Sequence, residues 1–545
     1  MVRLFFFLRY YYFVGAHMKK FIRFIFSGYA LMFLVLIFEI GLIIFFQFFY
    51  EAFNEYLISH FNLETDSGII GALFTLAGYG LFKLVSFIVA LIIFFKIVNR
   101  EEDPEFKIPW IVGMLLLPFF FSVMFLIFGK HELRKKDKVI VNATKNAYNA
   151  HFDVENKKEL GRAYGTFEYL KNTTLVGAHQ NNKVTYYKNG EEFFPAFIEG
   201  LKKAKEFIFI EFFIIADGQM WTAVKDILIQ KAAEGVDIRI IYDDMGCLGT
   251  IAGNTPRKFK KLGIKCYKFH PFRPIISGVY NNRDHRKIVV IDHQMAFTGG
   301  INLADEYANI KKRFGYWKDT MVKIEGSAIN NLITVFLQNH DLCVGQVSDY
   351  NKYLMYEYKK FDDEGFVMPF GDGPGGVDDA LVGEQNYINI LNYATKSCYI
   401  STPYLIPTYS LLDAMRNAAL RGVDVHLIIP GIPDKKAVYA VAKSNFRFLI
   451  KAGVKIHIYK PGFNHMKSMI ADDELAFVGT INFDFRSLVH HFECGTILYK
   501  CDCMKQIRED FDEMISVSEQ VPENYKPKVG TRWFCSIVKL ITPLL

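Results

Sequence analysis

Two copies of one polar motif are the residues in this chain whose types and spacing could do chemistry. Each copy has the pattern His-x-Lys-x4-Asp and is followed, at the same offset, by the tetrapeptide Gly-x-Ile-Asn. A polar pattern that returns at identical offsets predicts a duplicated functional site. The first copy contributes His285, Lys287, Asp292 and Asn302, and the second contributes His465, Lys467, Asp472 and Asn482.

The spacing within each copy favours the binding of a phosphate group. Because side chains alternate along a β-strand, a histidine and a lysine two positions apart project from the same face and reach the same anion. Two copies brought face to face would surround one pocket, in which the lysines supply charge and the imidazoles do acid–base or nucleophilic work. The histidines and carboxylates have no recognisable metal-ligand spacing, so we expect neither a metal nor a cofactor.

A histidine that acts as a nucleophile or a base needs a carboxylate that orients its ring. Asp319 lies downstream of the first motif, within Gly315–Thr320, and Glu493 lies downstream of the second motif, after His491 and Phe492. We expect these two acids to orient the imidazoles. The alternative is that either one is a solvated surface acid.

The motifs must be held by strands, and the chain from about residue 139 alternates strand-like and helical runs. Phe207–Ile215 and Val236–Tyr242 are β-rich, and each follows a helical run, which is typical of an α/β fold. Short segments of the first half return in the second, so we expect two pseudo-symmetric lobes that share one active site. The predicted limits are 139–370 for the first lobe, 371–376 for a Gly-rich linker and 377–515 for the second lobe.

The residues before 139 have a different composition and predict a membrane region at 24–128. The whole chain is 51% hydrophobic and 16% aromatic, yet 22% of its residues are charged, so the apolar excess must be concentrated. Each of three apolar stretches is long enough to cross a hydrocarbon core of about 30 Å as a helix. The stretches are 24–50, 69–97 and 108–128, and they follow a basic tail at 1–23 in which Met18 is a candidate for the true start.

Charges beside these stretches predict which side faces the cytoplasm. Lys and Arg are abundant before the first stretch and after the third, whereas 51–68 has acidic residues and neither Lys nor Arg. Because basic flanks stay in the cytoplasm, the large C-terminal region is predicted there. Three crossings cannot leave both basic ends on one side, so either the N-terminus lies outside or one stretch does not cross. Lys83 in the second stretch and Pro109 and Pro118 in the third make those two the candidates.

The remaining composition disfavours several classes of protein. A net charge of +7 without a dense basic groove argues against nucleic acid as a partner. The eight cysteines have no framework spacing, which indicates free thiols in a reducing compartment. The tail at 516–545, with apolar and basic residues after Trp533, predicts a short helix that lies on the membrane interface or caps the core.

The paired motifs resemble those of the phospholipase D superfamily, and the chain from the second apolar stretch to its end is similar to the bacterial cardiolipin synthases. The narrower resemblance includes Glu211, Asp243-Asp244, Asn282-Arg283 and the segment Asn482–Ser487. It implies a phospholipase D-like α/β fold behind N-terminal transmembrane helices. It also implies a multi-pass protein of the cell membrane with its catalytic lobes on the cytoplasmic face.

The resemblance implies reversible phosphatidyl transfer between two phosphatidylglycerol molecules, which gives cardiolipin and glycerol through a phosphatidyl-histidine intermediate. By this analogy His285 is the nucleophile and His465 the acid and base, an assignment that the near-symmetry of the copies makes reversible. The other implied roles are phosphate binding by Lys287, Lys467, Asn302 and Asn482, ring orientation by Asp319 and Glu493, and support of the motif loops by Asp292 and Asp472.

Three departures from the family pattern and several rival functions stay open. An extra apolar stretch precedes the usual two, His491 stands where the family usually has Asn, and Gly300 stands where Ser is more common. A membrane-bound phospholipase D-type hydrolase, or a phosphatidyltransferase that uses another alcohol, would share every catalytic residue. The apolar stretches disfavour a nuclease of the superfamily, and the two intact motifs disfavour a non-catalytic membrane scaffold.

Overall fold

The structure is a computed structural model in which the chain divides into two compact units. The first unit ends at His131 and the second begins at Glu132, apart from short exchanged segments. The predicted tail at 1–23, with Met18, and most of the chain after 527 lie outside the described residues. The described residues are 34–42, parts of 44–59, 67–129, 133, 135–148, 157–174, 176–271, 282–355, 357–374, 380–527 and single positions within 533–539, with backbone only at 67–79, 145–148 and 157.

The first unit holds the apolar helices, and one of the predicted stretches is not a single helix. Residues 34–42 are helical, and α1 spans Ser67–Val98. Within the described residues, Gly80–Val98 is the segment that is long and apolar enough to cross a membrane. The predicted stretch at 108–128 is instead divided between α2, Pro104–Leu116, and α3, Pro118–Phe128.

The break between α2 and α3 follows from the proline that begins α3. Proline disfavours helical backbone at the residue before it, and Leu117 has a φ of −136° and a ψ of 81°. The two helices then run back along each other, with the rings of Trp110 and Phe125 5.3 Å apart between centroids. Arg100, before the pair, donates to the Gly129 carbonyl oxygen, after it, at 2.6 Å. The two helices therefore form a closed hairpin whose ends meet.

The first half of the second unit forms a mixed sheet around the first motif. Its strands are β1 (Lys183–Tyr187), β2 (Phe207–Phe212), β3 (Asp237–Asp243), β4 (Lys265–Phe269), β5 (Lys287–Ile291), β6 (Met295–Gly299), β7 (Tyr316–Lys318) and β8 (Met321–Glu325). Seven of them pair in the order β1-β8-β6-β5-β2-β3-β4. β2, β3 and β4 are parallel, and β5 runs antiparallel to β2.

The second half repeats this sheet around the second motif. Its strands are β9 (Phe366–Asp372), β10 (Ser397–Ser401), β11 (Leu405–Ile406), β12 (Asp424–Pro430), β13 (Lys455–Tyr459), β14 (Gly462–Asn464), β15 (Ser468–Ala471), β16 (Leu475–Gly479), β17 (Phe483–Asp484), β18 (Glu493–Tyr499) and β19 (Ser518–Gln520). The sheet order, given from the edge that corresponds to β1, is β9-β18-β16-β15-β10-β12-β13-β19. The first seven strands correspond one by one to those of the first sheet, and β19 is added at the far edge. The predicted α/β fold with two pseudo-symmetric lobes is confirmed.

Two strands of the second sheet come from segments that we had predicted to lie outside the second lobe. β9 includes residues that we placed at the end of the first lobe and the start of the linker, yet it pairs with β18 at the edge of the second sheet. β19 lies in the predicted tail at 516–545 and pairs with β13. Glycines mark where a strand ends, but they do not indicate which sheet edge the strand will join. Part of the predicted linker, at 375–376, lies outside the described residues.

Helices cover both faces of each sheet, which explains the nearly continuous apolar character of the central strands. Every residue of β2 and of β5 is buried, as expected for strands packed on two sides. The helices of this unit are α4 (Lys135–Tyr148), α5 (Lys157–Leu160), α6 (Tyr164–Thr174), α7 (Gly190–Lys203), α8 (Gln219–Ala233), α9 (Thr255–Lys260), α10 (Ile329–Val344), α11 (Val382–Tyr393), α12 (Tyr409–Leu420), α13 (Lys436–Ile450) and α14 (Met504–Ser516).

Candidate active site

The two motifs lie at equivalent ends of the central strands of the two sheets. Lys287 is the first residue of β5 and is paired with Phe212 at the end of β2. Lys467 directly precedes β15, whose first residue, Ser468, is paired with Ser401 at the end of β10. The histidine two residues before each lysine therefore lies at the same edge of its own sheet.

Two short parallel backbone pairings join these edges. The residue before His285 pairs with Phe492, and His285 N donates to Phe492 O at 2.8 Å. In the equivalent pairing, the last residue of β14 lies opposite Lys318 at the end of β7, and His465 N donates to Lys318 O at 2.7 Å. Each histidine is thus held by a main-chain hydrogen bond to the other lobe.

Each imidazole is also bonded to a buried carboxylate from the opposite lobe. His285 Nδ1 lies 2.9 Å from Glu493 Oε2, and His465 Nδ1 lies 2.6 Å from Asp319 Oδ2. Both carboxylates are completely buried, so neither is a solvated surface acid. Because each ring uses Nδ1 for its carboxylate, Nε2 is left for a substrate. The structure brings together the histidines and acids that the sequence singled out, with each acid paired across the lobes.

Burial makes both imidazoles neutral and leaves both carboxylates charged at neutral pH. Removal from water lowers the pKa of His285 to about 3 and the pKa of His465 to about 4, although the adjacent carboxylates oppose this. Burial by itself would raise the pKa of Glu493, but the adjacent His285 and His491 rings hold it well below its ordinary value. In the same way Lys467 and His465 outweigh burial and lower the pKa of Asp319.

The two motif lysines are completely buried beside the histidines. Nζ of Lys287 donates to His285 O at 2.5 Å, and Nζ of Lys467 donates to His465 O. Burial lowers the pKa of Lys287 to about 8 and the pKa of Lys467 to about 7. An anion beside an ammonium group favours its charged form, so a phosphate placed between these lysines would raise the pKa of both.

The two motif aspartates bind main chain at the far ends of their strands. Asp292 accepts hydrogen bonds from the three N–H groups at 205–207, at 2.8–2.9 Å. Asp472 accepts from the three N–H groups at 395–397, at 2.7–3.1 Å. Both residues have a positive φ, 50° and 53°. They hold the loops that lead into β2 and β10, which is the role that the resemblance implies.

The two asparagines differ in how much of their amide the protein already uses. Asn302 Oδ1 accepts from Ile214 N at 3.0 Å, and its Nδ2 donates to Tyr307 Oη at 2.7 Å. Asn482 Nδ2 donates to Ser487 Oγ at 3.1 Å, while its Oδ1 is buried without a hydrogen-bond partner among the described residues. Asn302 thus clamps the loop after β2, and phosphate binding by either asparagine stays a prediction.

Arg286 is a buried residue of this site that our sequence analysis did not single out. Its guanidinium donates to the carbonyl oxygens of Glu493 at 3.0 Å, of Val335 at 3.0 Å and of Asp372 at 3.1 Å. It therefore holds the main chain that carries the carboxylate of the opposite lobe. Its position between the motif histidine and lysine was a signal, because alternation directs it to the opposite face of the strand.

The residue after the turn glycine differs between the copies and matches the carboxylate it faces. In the second copy, the Thr480 hydroxyl donates to Glu493. In the first copy, Gly300 has no side chain, and a Cβ atom there would lie 2.0 Å from Asp319 Oδ1. The departure at Gly300 therefore leaves the space that Asp319 occupies.

Among the described residues, one group of metal-ligand side chains lies in this site. It consists of His285, His491 and Glu493, whose ligand atoms all lie within 4.8 Å of one another. The sequence showed no metal-ligand spacing here, because the residues come together from both lobes.

Comparison with known sequences shows the family to which this chain belongs. The family described as "Cardiolipin synthase, PLD-like domain" matches residues 197–338 and 387–515. The chain is 33% identical to cardiolipin synthase 2 of Bacillus cereus, over 85% of this chain and 91% of that protein. It is 31% identical to a cardiolipin synthase of Staphylococcus aureus, over 90% of this chain and 98% of that protein.

Comparison with solved structures shows the same fold. The crystal structure of phosphatidylserine synthase from Haemophilus influenzae superposes with a TM-score of 0.54 at 15% sequence identity, over 71% of this chain and 100% of that one. Sequence, fold and paired motifs agree. The chain therefore belongs to the cardiolipin synthase family of the phospholipase D superfamily, and it is a phosphatidyltransferase that acts on phospholipids.

Proposed function

We propose that this enzyme joins two phosphatidylglycerol molecules into cardiolipin and glycerol through a phosphatidyl-histidine intermediate. The observation that carries the proposal is the pair of carboxylate-bonded imidazoles at one junction, each with a buried lysine two residues away. Substitution at phosphorus needs a nucleophile for the incoming bond and an acid for the leaving oxygen. Two histidines, each hydrogen-bonded to a buried carboxylate, supply the nucleophile and the acid.

In the first half-reaction, Nε2 of His285 attacks the phosphorus of one lipid. A P–N bond forms, the P–O bond to the glycerol headgroup breaks, and His465 gives a proton to the departing oxygen. The phosphate anion raises the pKa of His465, so that this ring carries the proton when lipid is bound. Lys287 and Lys467 offset the charge on the phosphoryl oxygens. Glycerol leaves, and the phosphatidyl group stays on His285.

In the second half-reaction, the neutral His465 ring takes a proton from the primary hydroxyl of a second phosphatidylglycerol. The hydroxyl oxygen attacks the phosphorus, the new P–O bond forms, and the P–N bond to His285 breaks. Cardiolipin leaves, and His465 holds the proton that the next cycle uses. The second half-reaction is the chemical reverse of the first with a different alcohol, so the overall reaction runs in both directions.

Mass spectrometry of the lipid products tests this reaction. The purified protein is incubated with phosphatidylglycerol in mixed micelles that contain a metal chelator. We expect cardiolipin and an equal amount of glycerol, with turnover reduced at least about 10³-fold in His285→Ala and in His465→Ala. His426→Ala, which removes an imidazole stacked on His457 outside the motifs, serves as the matched control.

Other products would identify the rival functions. Phosphatidic acid as the sole product would make the protein a hydrolase. An adduct with an added alcohol, formed without cardiolipin, would make it a phosphatidyltransferase with another acceptor. Peptide mapping of enzyme quenched during turnover then locates the intermediate. We expect the phosphatidyl group on His285, and a group found on His465 instead would reverse the two roles.

We also propose that the chain crosses the membrane twice and that the hairpin of α2 and α3 enters from the cytoplasmic side and returns. α2 has 13 residues and α3 has 11. At about 1.5 Å per residue, each helix spans roughly 16–20 Å, little more than half of a hydrocarbon core of about 30 Å. Neither helix is long enough to cross alone, and the hairpin ends meet at Arg100 and Gly129.

Contacts at the tip of the hairpin support a position of the tip near the middle of the hydrocarbon core. The Phe119 ring lies 6.0 Å from that of Phe38 and 5.4 Å from that of Phe82, between centroids, and both partners lie near the middle of their apolar stretches. Glu39 Oε2 accepts from Phe120 N at 2.9 Å, which satisfies a first-turn N–H that apolar surroundings would leave without a partner. Leu116, at the tip, is 73% exposed, as suits a residue that faces lipid.

This arrangement reconciles the charges at both ends of the membrane region. With two crossings and one returning hairpin, the basic residues before 24 and after 128 both lie in the cytoplasm, and the acidic segment 51–68 lies outside. The catalytic lobes then face the cytoplasm. Both substrates reach them from the bilayer to which the chain is anchored, and anchoring raises their effective concentration.

Labelling of single added cysteines with a membrane-impermeant maleimide tests the arrangement. We expect Tyr56→Cys to react in intact cells and Glu101→Cys and Lys136→Cys to react only after permeabilisation. The parent protein, with its native thiols, gives the background. Glu101→Cys and Lys136→Cys flank the hairpin, so their reaction from opposite sides would show that 108–128 crosses.

A further inference from the structure

The neighbourhood of His285 differs from that of His465 by one residue. The β6–β8 and β16–β18 pairings have the same register, with Gly299 opposite Met321 and Gly479 opposite Gly495. Met321 and Gly495 therefore hold equivalent positions in the two lobes. The residues two positions before them, Asp319 and Glu493, are also equivalent, and so are the residues four positions before them, at 317 and 491. The first position holds tryptophan and the second holds histidine. A third imidazole therefore lies beside His285, where an indole lies beside His465.

The backbone explains why His491 faces the catalytic ring. Phe492 is paired in parallel with the segment before His285, and Phe492 N donates to Arg283 O at 2.8 Å. Since alternate residues of an extended segment point to the same side, His491 and Glu493 both face His285. The His285 and His491 rings lie 5.7 Å apart between centroids, and His491 Nδ1 lies 3.7 Å from Glu493 Oε1.

Two ligand-type atoms in this cluster are buried without a hydrogen bond. Glu493 uses Oε2 for His285 and for the Thr480 hydroxyl, whereas its Oε1 has no hydrogen-bond partner among the described residues. His491 Nδ1, which faces that oxygen, has none within the described chain either. An unused carboxylate oxygen and an unused imidazole nitrogen therefore lie 3.7 Å apart beside the His285 ring. Each of the three residues offers one ligand atom that lies within 4.8 Å of those of the other two.

We propose that His285, His491 and Glu493 bind one divalent transition metal ion, for which Zn²⁺ is the probe, and that the bound ion blocks phosphatidyl transfer. Two imidazoles and one carboxylate form a donor set that zinc accepts, with a fourth position for water. The site goes beyond the proposed reaction, and only its inhibitory effect rests on that reaction.

The bound ion blocks the reaction through the groups that it occupies. With its Nδ1 bound to the ion, the neutral His285 ring would carry its proton on Nε2, the nitrogen that attacks phosphorus, so the ring could no longer act as the nucleophile. The buried ammonium groups of Lys287 and Lys467 repel a bound cation, so we expect micromolar affinity for Zn²⁺. At the equivalent position beside His465 stands Trp317, whose indole offers no metal ligand.

Metal binding to the full-length protein in detergent tests the proposal without any turnover. We expect one equivalent of Zn²⁺ at this site by calorimetry, and a Co²⁺ absorption spectrum typical of tetrahedral coordination with nitrogen ligands. His491→Asn, which restores the usual family residue, should weaken the affinity at least about tenfold. His491→Gln is a second variant for the case in which the first does not fold. His457→Asn is the control, because it removes an imidazole from a separate pair with His426.

Inhibition is measured as the ratio of cardiolipin formation with and without micromolar Zn²⁺ for each variant. We expect the ratio to fall in the parent and in His457→Asn, and to stay near one in His491→Asn. Unchanged zinc affinity in folded His491→Asn and His491→Gln would overturn the site. Zinc binding that leaves the ratio near one in the parent would overturn the inhibition. If the parent protein made no cardiolipin, the proposed function would be wrong. The Co²⁺ spectrum would still test the metal site, because it does not depend on turnover.

Discussion

Asp319 Oδ2 lies 2.6 Å from His465 Nδ1, although the two residues belong to different lobes. The reciprocal pair joins His285 of the first lobe to Glu493 of the second at 2.9 Å. Neither repeat therefore contains a complete histidine–carboxylate pair, because each ring is bonded to a carboxylate that the other repeat supplies. The two copies of the motif thus form one candidate site at the contact between the lobes.

Asp319→Asn should lower kcat by about 10²–10⁴ with little change in KM, since an amide cannot stabilise the charged imidazolium as a carboxylate does. Steady-state kinetics with phosphatidylglycerol measure both parameters. Asp362→Asn, at an exposed position, is the control and should behave as the parent. Equal kcat in the two variants would contradict the orienting role.

Gly300→Ala should lower kcat at least about tenfold, because the new Cβ would lie 2.0 Å from Asp319 Oδ1 and displace the carboxylate from His465. Gly165→Ala is the matched control, since a Cβ there has nothing within 4 Å. The two variants are compared in turnover and in thermal unfolding. If Gly300→Ala turned over as fast as Gly165→Ala, the close packing of Asp319 against this glycine would have no catalytic consequence.

The value of kcat/KM should fall as the pH rises through about 7 to 8. Burial lowers the pKa of Lys467 to about 7 and that of Lys287 to about 8. Both ammonium groups of the free enzyme therefore lose their protons in this range, and the attraction for an anionic lipid is lost with them. The fall should be larger in kcat/KM than in kcat, because bound phosphate raises both pKa values. A flat kcat/KM between pH 7 and pH 9 would contradict this.

Asp292→Asn should destabilise the protein by about 1–3 kcal/mol without a loss of kcat per folded molecule. Its two carboxylate oxygens accept three backbone N–H groups, and an amide has only one acceptor oxygen to offer them. Thermal unfolding in detergent, with Asp512→Asn on the exposed face of α14 as the control, measures the change. A reduced kcat at full stability would show that Asp292 acts in the chemistry and not through the loop.

Local sequence determined the parts of this protein that depend on short-range patterns. Strand alternation is enough to place a histidine and a lysine two residues apart on one face, and the repeat predicts two lobes because both copies carry the same offsets. The need of each histidine for an orienting carboxylate pointed to Asp319 and Glu493, and Pro109 and Pro118 marked the third apolar stretch as a candidate that does not cross the membrane.

Tertiary structure alone decided which groups meet. The pairing of His285 with Glu493, the hydrogen bond from Ile214 N to the Asn302 side chain and the position of β9 in the second sheet join segments that are distant along the chain. No local periodicity encodes such contacts, because they result from the packing of whole sheets. For the same reason, only the folded chain shows that Arg100 meets Gly129 across the hairpin and that His491 faces a catalytic imidazole.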